Sequence, residues 1–361
     1  MHDFKFTHLT PGNTGSAPPG LSAELIPGVV HPLRHLLLCR MSTGCTNQFS
    51  ITHNINHLPR CCSCRGWRTS VCGWSLAILI ILMAAPAVAQ QAGIIQGMQM
   101  PAWIERKGAK APVSPGMLIE SGDRIQTGSG ARILLNLDEG SLVKLGENAD
   151  FTVRDVIRAE TSDGVFSGFL DVVKGAFRFT TTLISKSQRR NLIIRVSAVT
   201  AGIRGTDLWG KAAPDKDIVC LINGDINVQH QGQEPFRMNQ PLSFYIAPKN
   251  APAKPVSPVD PQQLKRWATE VELTNDDGAL TTHGPWNLIL MSLKDRSSSQ
   301  RRQRQIQAAG YPAVIQKTSH NDSLWYRVVI PGFARFTGAE NVARSLENRF
   351  GISKPWIIHN G

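Results

Sequence analysis

Between Gly93 and Ala247 the sequence consists of short apolar or alternating runs, interrupted by a glycine about every 8–12 residues. Examples are the stretches ARILLNLDEGSLVKLGENADFTV and NLIIRVSAVTAGIRGTDLWG. Runs of this length, rich in β-branched residues and bounded by turn residues, are typical of strands joined by tight turns. They are too short for helices of a dozen residues. We therefore predict an all-β sandwich or roll over residues 93–247.

Residues 248–284 differ in composition from the segment before them. Five prolines lie between residues 247 and 263, and proline favours extended backbone of the polyproline type. We predict a semi-rigid linker here, followed by a short helix that begins near Pro261 and an acidic turn that ends at Pro285.

Residues 285–361 alternate between strand and helix patterns. The strand patterns WNLILMSL, AVIQK, SLWYRVVI and PWIIHN flank two helix patterns. Serines are expected to cap the first helix, and Thr337 with Glu340 to cap the second. The order βαββαβ predicts an α+β domain, ferredoxin- or RNP-like, with two helices on one face of a four-stranded sheet. The apolar residues of the second helix recur at the spacing of one buried face: Ala339, Val342, Ala343, Leu346 and Phe350.

Positive charge is concentrated at the carboxyl end of the chain. The formal net charge is +12, and residues 286–361 hold 11 Lys and Arg against 4 Asp and Glu, a local excess of +7. This excess predicts an acidic partner for the α+β domain.

Residues 65–89 have the three parts of a secretory signal peptide. Arg65 and Arg68 precede an apolar run, Trp74–Ala85, which is shorter than the about 20 residues that span a membrane. Ala87-Val88-Ala89 then supplies small residues for a signal peptidase. We predict cleavage between Ala89 and Gln90, and the alternative is an uncleaved anchor at 74–89.

Residues 1–64 have no sustained periodicity, so we interpret them as a non-structural extension, produced by a misplaced start codon. Six of the seven cysteines precede Ala89, which leaves Cys220 alone in the mature chain. A lone cysteine within the apolar run DIVCLI is expected to be a buried small hydrophobe. No disulfide framework is predicted.

The sequence contains no motif that points to catalysis, metal binding or a cofactor. GTDLWGK at 205–211 has the spacing of a phosphate-binding loop. However, Ala212 replaces the hydroxyl that would hold Mg²⁺, and Leu208 and Trp209 occupy the phosphate cradle. The chain has no Gly-x-Ser-x-Gly motif, and after Ala89 it has no closely spaced pair of His ligands. We predict a protein that is not an enzyme, with no catalytic residue, metal or cofactor.

Two stretches of the β region, PGMLIESGDRIQTGSGARILLNLDEGSLVKLGENA and SAVTAGIRGTDLWG, carry a family resemblance. With them, the segment from Pro101 to Lys211 resembles the FecR domain of bacterial envelope proteins. The resemblance implies that Gly202, Gly205 and Asp207 form a tight turn, and that the domain has a protein partner, which the sequence does not identify.

The stretches AGYPAVIQK and WYRVVIPGFARFTGAENVARSL belong to the α+β region. With them, the segment 285–360 resembles a SPOR domain. The resemblance implies binding to peptidoglycan glycan strands that lack stem peptides, across the open face of the sheet. It places Ser292, Trp325 and Arg327 at positions that contact glycan, and Ile289 where several members have glutamine.

Together these features predict a non-catalytic protein of the Gram-negative periplasm or cell envelope. Its SPOR domain would bind glycan strands, for example at cell-division sites, and its FecR-like domain would be a scaffold or partner-binding module. The alternative is a signal relay of the FecR type, anchored in the membrane through residues 74–89. No nucleic-acid partner is expected, because the aromatic signature of RNA-binding sheets is absent from SLWYRVVIPGF. Contact with a membrane is expected only through the signal or anchor segment.

We expect the mature protein to begin at Gln90, because the small residues at 87–89 fit a signal peptidase. Intact-mass measurement of the protein from the native envelope fraction checks this. A mass that includes residues 65–89 would instead support the anchored relay.

Overall fold

The computed structural model describes residues 90–158, 166–181, 190–203 and 205–360. All of them lie within Ile80–Gly361, one of the two units into which the chain divides. The extension 1–64 and the signal or anchor segment 65–89 fall outside the described residues. Within the described residues, no helix is both long and apolar enough to cross a membrane.

The structure is built mainly from strands, with three α-helices in the described residues. The helices are α1 (Pro261–Thr269), α2 (Arg296–Ala308) and α3 (Phe336–Leu346), and a 3₁₀ turn covers Asn275–Asp277. The strands are β1 (Gln91–Gln99), β2 (Ala102–Arg106), β3 (Ala109–Pro112), β4 (Leu118–Glu120), β5 (Arg124–Thr127), β6 (Arg132–Leu137), β7 (Leu142–Leu145), β8 (Asp150–Arg158), β9 (Phe166–Thr180), β10 (Arg190–Val196), β11 (Val199–Ile203), β12 (Asp207–Ala212), β13 (Lys216–Asn223), β14 (Ile226–His230), β15 (Phe236–Met238), β16 (Ser243–Pro248), β17 (Lys254–Pro258), β18 (Leu280–Thr281), β19 (Trp286–Leu293), β20 (Val314–His320), β21 (Ser323–Phe333) and β22 (Trp356–His359).

Strands β1–β17 form two sheets that share the long strand β9. One sheet runs β4–β1–β6–β7–β9–β12–β13–β16–β17. The other runs β3–β2–β5–β8–β9–β10–β11–β14–β15, and its pair β9–β10 is parallel. A large apolar core joins both sheets and includes Ile95 and Phe177 from the first and Phe151 and Ile194 from the second. The predicted all-β sandwich or roll is confirmed, and we call this part the β domain.

Part of the proline-rich segment that was predicted as a semi-rigid linker pairs with the β domain. Its residues 254–258 form the edge strand β17, which pairs with β16. An edge strand has no pairing partner on its outer side. Residues without an amide hydrogen, such as Pro255 and Pro258, are therefore tolerated there. Sequence composition could not reveal this pairing, since extended proline-rich backbone looks the same with or without a neighbouring strand.

Helix α1 covers the outer surface of the first sheet. Trp267 of α1 stacks on Trp209 of β12, with ring centroids 4.5 Å apart and planes within 7°. A second, smaller apolar cluster forms around this pair and contains Cys220, which is 0% exposed. Burial raises the pKa of the Cys220 thiol to about 12. Cys220 is therefore the buried small hydrophobe that its sequence context predicts.

Strands β19–β22 with α2 and α3 have the predicted order βαββαβ. The sheet runs β20–β21–β19–β22 and is antiparallel throughout. Both helices pack on one face, where Ile306 of α2 and Leu346 of α3 join the same apolar core as Leu288 and Ile330. The α+β part of the fold prediction is confirmed.

The predicted helix caps are wrong in detail. Helix α2 begins after Asp295, whose side chain accepts hydrogen bonds from the amides of Ser297 and Ser298. Asp295 thereby replaces the expected serine, since a carboxylate accepts amide hydrogen bonds more strongly than a hydroxyl. Helix α3 has no side-chain cap, and the Thr337 hydroxyl instead donates to Asp276 Oδ1 at 2.5 Å.

The β domain and the α+β domain share a continuous hydrogen-bonded sheet. Strand β1 pairs with β18 through Gly97 with Thr281 and Met98 with Leu280. Leu280 in turn pairs with Phe333 at the end of β21. The first strand of the described chain therefore connects the two domains directly.

Side chains reinforce this connection at the carboxyl end of α2. The indole Nε1 of Trp103 donates to the carbonyl of Ala308 at 3.0 Å, and the amide of Ala102 donates to the carbonyl of Gly310 at 3.0 Å. Gly310 has φ +86°, and a Cβ there would lie 2.8 Å from the Trp103 ring. A residue other than glycine would therefore not fit against this indole. The contacts fix the α+β domain against the β domain.

Replacing Cys220 by Ser should lower the free energy of unfolding by about 1–3 kcal/mol, because the substitution buries an unpaired hydroxyl. Urea denaturation of residues 90–361 measures this, with Cys220→Ala as the matched control that adds no polar group. Equal stability of the Ser and Ala variants would contradict the burial of Cys220.

Residues 90–361 should unfold in one calorimetric transition, because β1 and Trp103 connect the domains. Trp103→Ala should lower the free energy of unfolding by about 1–3 kcal/mol, less than the ~3–5 kcal/mol for a fully buried aromatic residue. It should also raise the hydrogen-exchange rate of the amides at the end of α2. Leu242→Ala, at an exposed residue of the β domain, is the control. Two transitions in the parent protein would show that the domains unfold independently.

Candidate functional site

The face of the β19–β22 sheet opposite the helices carries Ser292, Trp325 and Arg327, the three residues predicted to contact glycan. Ser292 of β19 is the cross-strand partner of Arg327 of β21, and Arg327 faces Gln316 of β20 on its other side. Trp325 lies two residues before Arg327 on β21, so alternation along the strand places both side chains on the same face. Tyr326 belongs to the opposite face. The structure therefore brings Ser292, Trp325 and Arg327 together.

A fourth side chain, Trp356, joins them from β22. The carbon of the Arg327 guanidinium lies 5.9 Å from the centre of the Trp356 ring. Trp356 is the cross-strand partner of Ile289 on β19, so strand β19 lies between Trp356 and Arg327. We call the surface of Ser292, Trp325, Arg327 and Trp356 the platform.

Sequence reasoning missed Trp356 because its contact with Arg327 depends on register. Strand β19 has an irregularity between Ile289 and Met291 that shifts its pairing with β21. Only the observed pairing shows that the first residue of β22 comes beside Arg327. The available signal was the exposed aromatic at the start of a strand pattern, which is weak by itself.

Arg327 is the polar centre of the platform. Its Nε is buried and has no hydrogen-bond partner within the described part of the chain. Most buried polar groups in native proteins are paired, so an unpaired guanidinium nitrogen calls for an explanation such as a ligand or a water molecule. The remaining guanidinium surface can offer parallel N–H donors to a carboxylate.

Trp325 lies at one side of the platform, beside a second cation. The Lys294 ammonium is 5.3 Å from the centre of the Trp325 ring. The platform and the adjoining Lys294 therefore combine two aromatic rings with two cations, Lys294 and Arg327, and a hydroxyl group from Ser292. Such a surface suits a ligand that has both apolar faces and anionic groups.

Ile289 does not belong to the accessible part of the platform. It is 0% exposed, and so is its cross-strand partner Val329. Ile289 and Val329 lie on the same sheet face as Arg327, but neither side chain is accessible. A ligand would therefore meet the exposed rings and polar groups of this face, and not Ile289 itself.

In the β domain, the GIRGTDLWG motif has a structural role. Gly205 has φ +67°, as expected at a turn, whereas Gly202 lies within β11 and Asp207 begins β12. The Asp207 carboxylate accepts two hydrogen bonds from Arg178, at 2.9 and 2.7 Å. This pairing raises the pKa of Arg178. Of the three residues expected at the turn, Gly205 lies in it and the other two lie in strands. Asp207 instead joins β12 to β9 through its hydrogen bonds with Arg178.

No group of three or more His, Cys, Asp or Glu side chains in the described ranges could hold a metal ion.

Two family models match the chain. The FecR protein model matches residues 123–227, and the SPOR domain model matches residues 282–358. FecR and SPOR are families of non-catalytic binding and signalling domains of the cell envelope. No curated protein sequence is significantly similar to the chain.

Two similar solved structures are both titled crystal structures of a "putative anti-sigma factor" from Parabacteroides distasonis ATCC 8503. They are 13% and 14% identical to the chain, with TM-scores of 0.34 and 0.33. Each comparison covers 56% of this chain, and 98% and 96% of the respective solved chains.

Position, fold and family thus agree for both parts of the chain. The FecR match lies within the two-sheet β domain, and the SPOR match contains β19–β22 with their two helices. A SPOR domain implies binding to peptidoglycan. The chain therefore carries a FecR domain at residues 123–227 followed by a C-terminal SPOR domain at residues 282–358.

Proposed function

We propose that this protein binds peptidoglycan glycan strands that lack stem peptides, and that the platform of its SPOR domain is the binding surface. Ser292, Trp325 and Arg327 contact the glycan, together with Trp356. The protein acts without catalysis and without a cofactor.

The observation that carries this proposal is the position of Arg327 on the sheet face opposite the helices, beside Ser292 and Trp356. Removal of a stem peptide leaves a free lactyl carboxylate on the sugar. A carboxylate accepts hydrogen bonds from a guanidinium in a forked geometry, and such charge-assisted bonds are short and strong. A glycan with intact stem peptides has an amide at this position, which is neutral and bulkier. The chemistry of Arg327 therefore favours the stripped strand.

The rings of Trp325 and Trp356 account for the rest of the sugar. A pyranose ring has an apolar C–H face that packs on an indole, while its hydroxyl and acetamido groups form hydrogen bonds. Trp356 is 39% exposed and Trp325 is partly exposed, so both rings are accessible. Ser292 supplies a hydroxyl that can donate or accept.

The FecR domain acts as a scaffold or as a module for a protein partner. A signal peptide that is cleaved after Ala89 exports the protein, so both domains lie in the periplasm. Glycan binding then concentrates the protein where stripped strands occur, as at division sites. Among the described residues, the β domain contacts the SPOR domain through α2 and β18, and neither of these elements contains a platform residue.

Trp325→Ala should weaken binding of residues 90–361 to amidase-treated sacculi by about 1–3 kcal/mol, the range for a central aromatic anchor. Arg327→Glu should weaken it as well, because it reverses the charge that meets the carboxylate. Parent affinity should fall as salt rises, since exposed charges are screened over about 8 Å at physiological ionic strength. Co-sedimentation with treated and untreated sacculi measures all three, and the parent should prefer treated sacculi.

Tyr326→Phe is the matched control, because Tyr326 lies on the same strand but faces away from the platform. It should bind as the parent does. Melting temperatures separate loss of the site from loss of the fold. If Trp325→Ala and Arg327→Glu stay folded and bind as well as the parent, the platform is not the glycan site.

A further inference from the structure

A groove runs along the edge of the SPOR sheet, between α3 and β22. It has a volume of about 430 Å³, and its floor includes Ala343 and Ile357. Phe336 and Trp356 line it with rings that are 45% and 39% exposed. Large apolar side chains that are exposed within one groove usually mark a surface that contacts something. Neither the FecR nor the SPOR match assigns a role to this groove.

Trp356 belongs to both the platform and the groove. Its ring lies by Arg327 on the platform side, and it also lines the groove beside Pro355. Strand β22 is the edge of the sheet, since it pairs only with β19 in the described chain. Trp356 is therefore the residue through which a ligand that crosses the sheet toward β22 would meet the groove.

The size of the sheet requires a long ligand to leave the platform. Four strands spaced about 4.8 Å apart measure about 14 Å between the outer strands. This width holds only a few sugar rings. A longer glycan strand must continue beyond β20 or beyond β22, and among the described residues the β22 side offers accessible aromatic rings in a groove.

We propose that the groove is an additional saccharide subsite, which holds the glycan strand where it passes over the edge of the sheet at β22. This proposal rests on the proposed function of the platform. Phe336 provides the second apolar ring surface, and the Lys354 ammonium at the rim meets a hydroxyl or carboxylate of the same strand.

The charges of the groove distinguish it from the platform. Its rim carries Glu340 and Glu347 as well as Arg344 and Lys354, so its formal charge sums to zero. The groove therefore contributes mainly through ring stacking, and that contribution should depend little on salt. The platform, with Arg327 and Lys294, should carry most of the salt dependence.

Phe336 can be truncated without removing core. It is the first residue of α3, and its ring makes an edge contact with Trp286 at 5.3 Å. Leu324→Ala is a matched control, because Leu324 is 49% exposed in the same domain and does not line the groove. Lys354→Ala tests the groove at a second, exposed position outside any helix or strand.

The experiment measures binding of stripped glycans of four sugars and of at least eight sugars to residues 90–361 by isothermal titration calorimetry. The parent and Leu324→Ala should bind the long glycan more tightly than the short one. Phe336→Ala should keep the affinity for the short glycan and bind the long one roughly tenfold more weakly than the parent, a loss of about 1.4 kcal/mol. Lys354→Ala should show a smaller loss of the same kind. Statistical binding of a long ligand affects all variants equally, so the difference between variants isolates the groove.

Each other outcome has a distinct meaning. If Phe336→Ala binds the long glycan as tightly as the parent, the groove is not a subsite, although the platform proposal stands. If no glycan of either length binds the parent, the proposed function fails, and this subsite with it. Long glycans that retain stem peptides are titrated in parallel; if Phe336→Ala weakens binding of these glycans alone, the groove holds a peptide and the saccharide subsite is wrong.

Discussion

The hydrogen bonding of β1 on both of its edges is the constraint on which the rest of the structure depends. One edge pairs with β6, and the other pairs with β4 and then with β18. The glycines of this strand permit the close approach. A Cβ on Gly93 would lie 2.4 Å from the Asn136 carbonyl, and one on Gly97 would lie 3.2 Å from the Leu280 carbonyl. The two glycines in the sequence QAGIIQGMQ therefore allow β1 to pair with strands on both of its edges.

Because β1 fixes the SPOR domain, the direction of the platform relative to the β domain is fixed too. The β domain contacts the end of α2 and the strand β18, and α2 packs on the sheet face opposite the platform. The sheet therefore lies between a glycan on the platform and the contacts at α2, while β18 meets the far end of β21 at Phe333. Binding to the cell wall would then hold the FecR domain in a defined orientation, unlike a domain on a flexible linker.

What the sequence could predict was set by the range of the interactions involved. The β domain and the βαββαβ order followed from local periodicity, since alternation and helical spacing reflect which side chains are buried within one element. The pairing of β17 with β16 and the stacking of Trp267 on Trp209 escaped prediction, because both join segments that are distant in the sequence. Alternation correctly put Trp325 and Arg327 on one face. The addition of Trp356 required the irregular pairing of β19.

The structure also changes the meaning of the positive charge of the carboxyl-terminal segment. Four of its arginines, at 296, 301, 302 and 304, lie exposed on α2, on the face away from the platform. They cannot touch a glycan bound there, because the sheet lies between α2 and the platform. Their charges also act weakly across the sheet, since exposed charges are screened over about 8 Å at physiological ionic strength. The net charge of the segment therefore says little about the affinity of the platform. Recognition of a glycan by the platform would depend instead on Arg327 and Lys294, the two cations beside its aromatic rings.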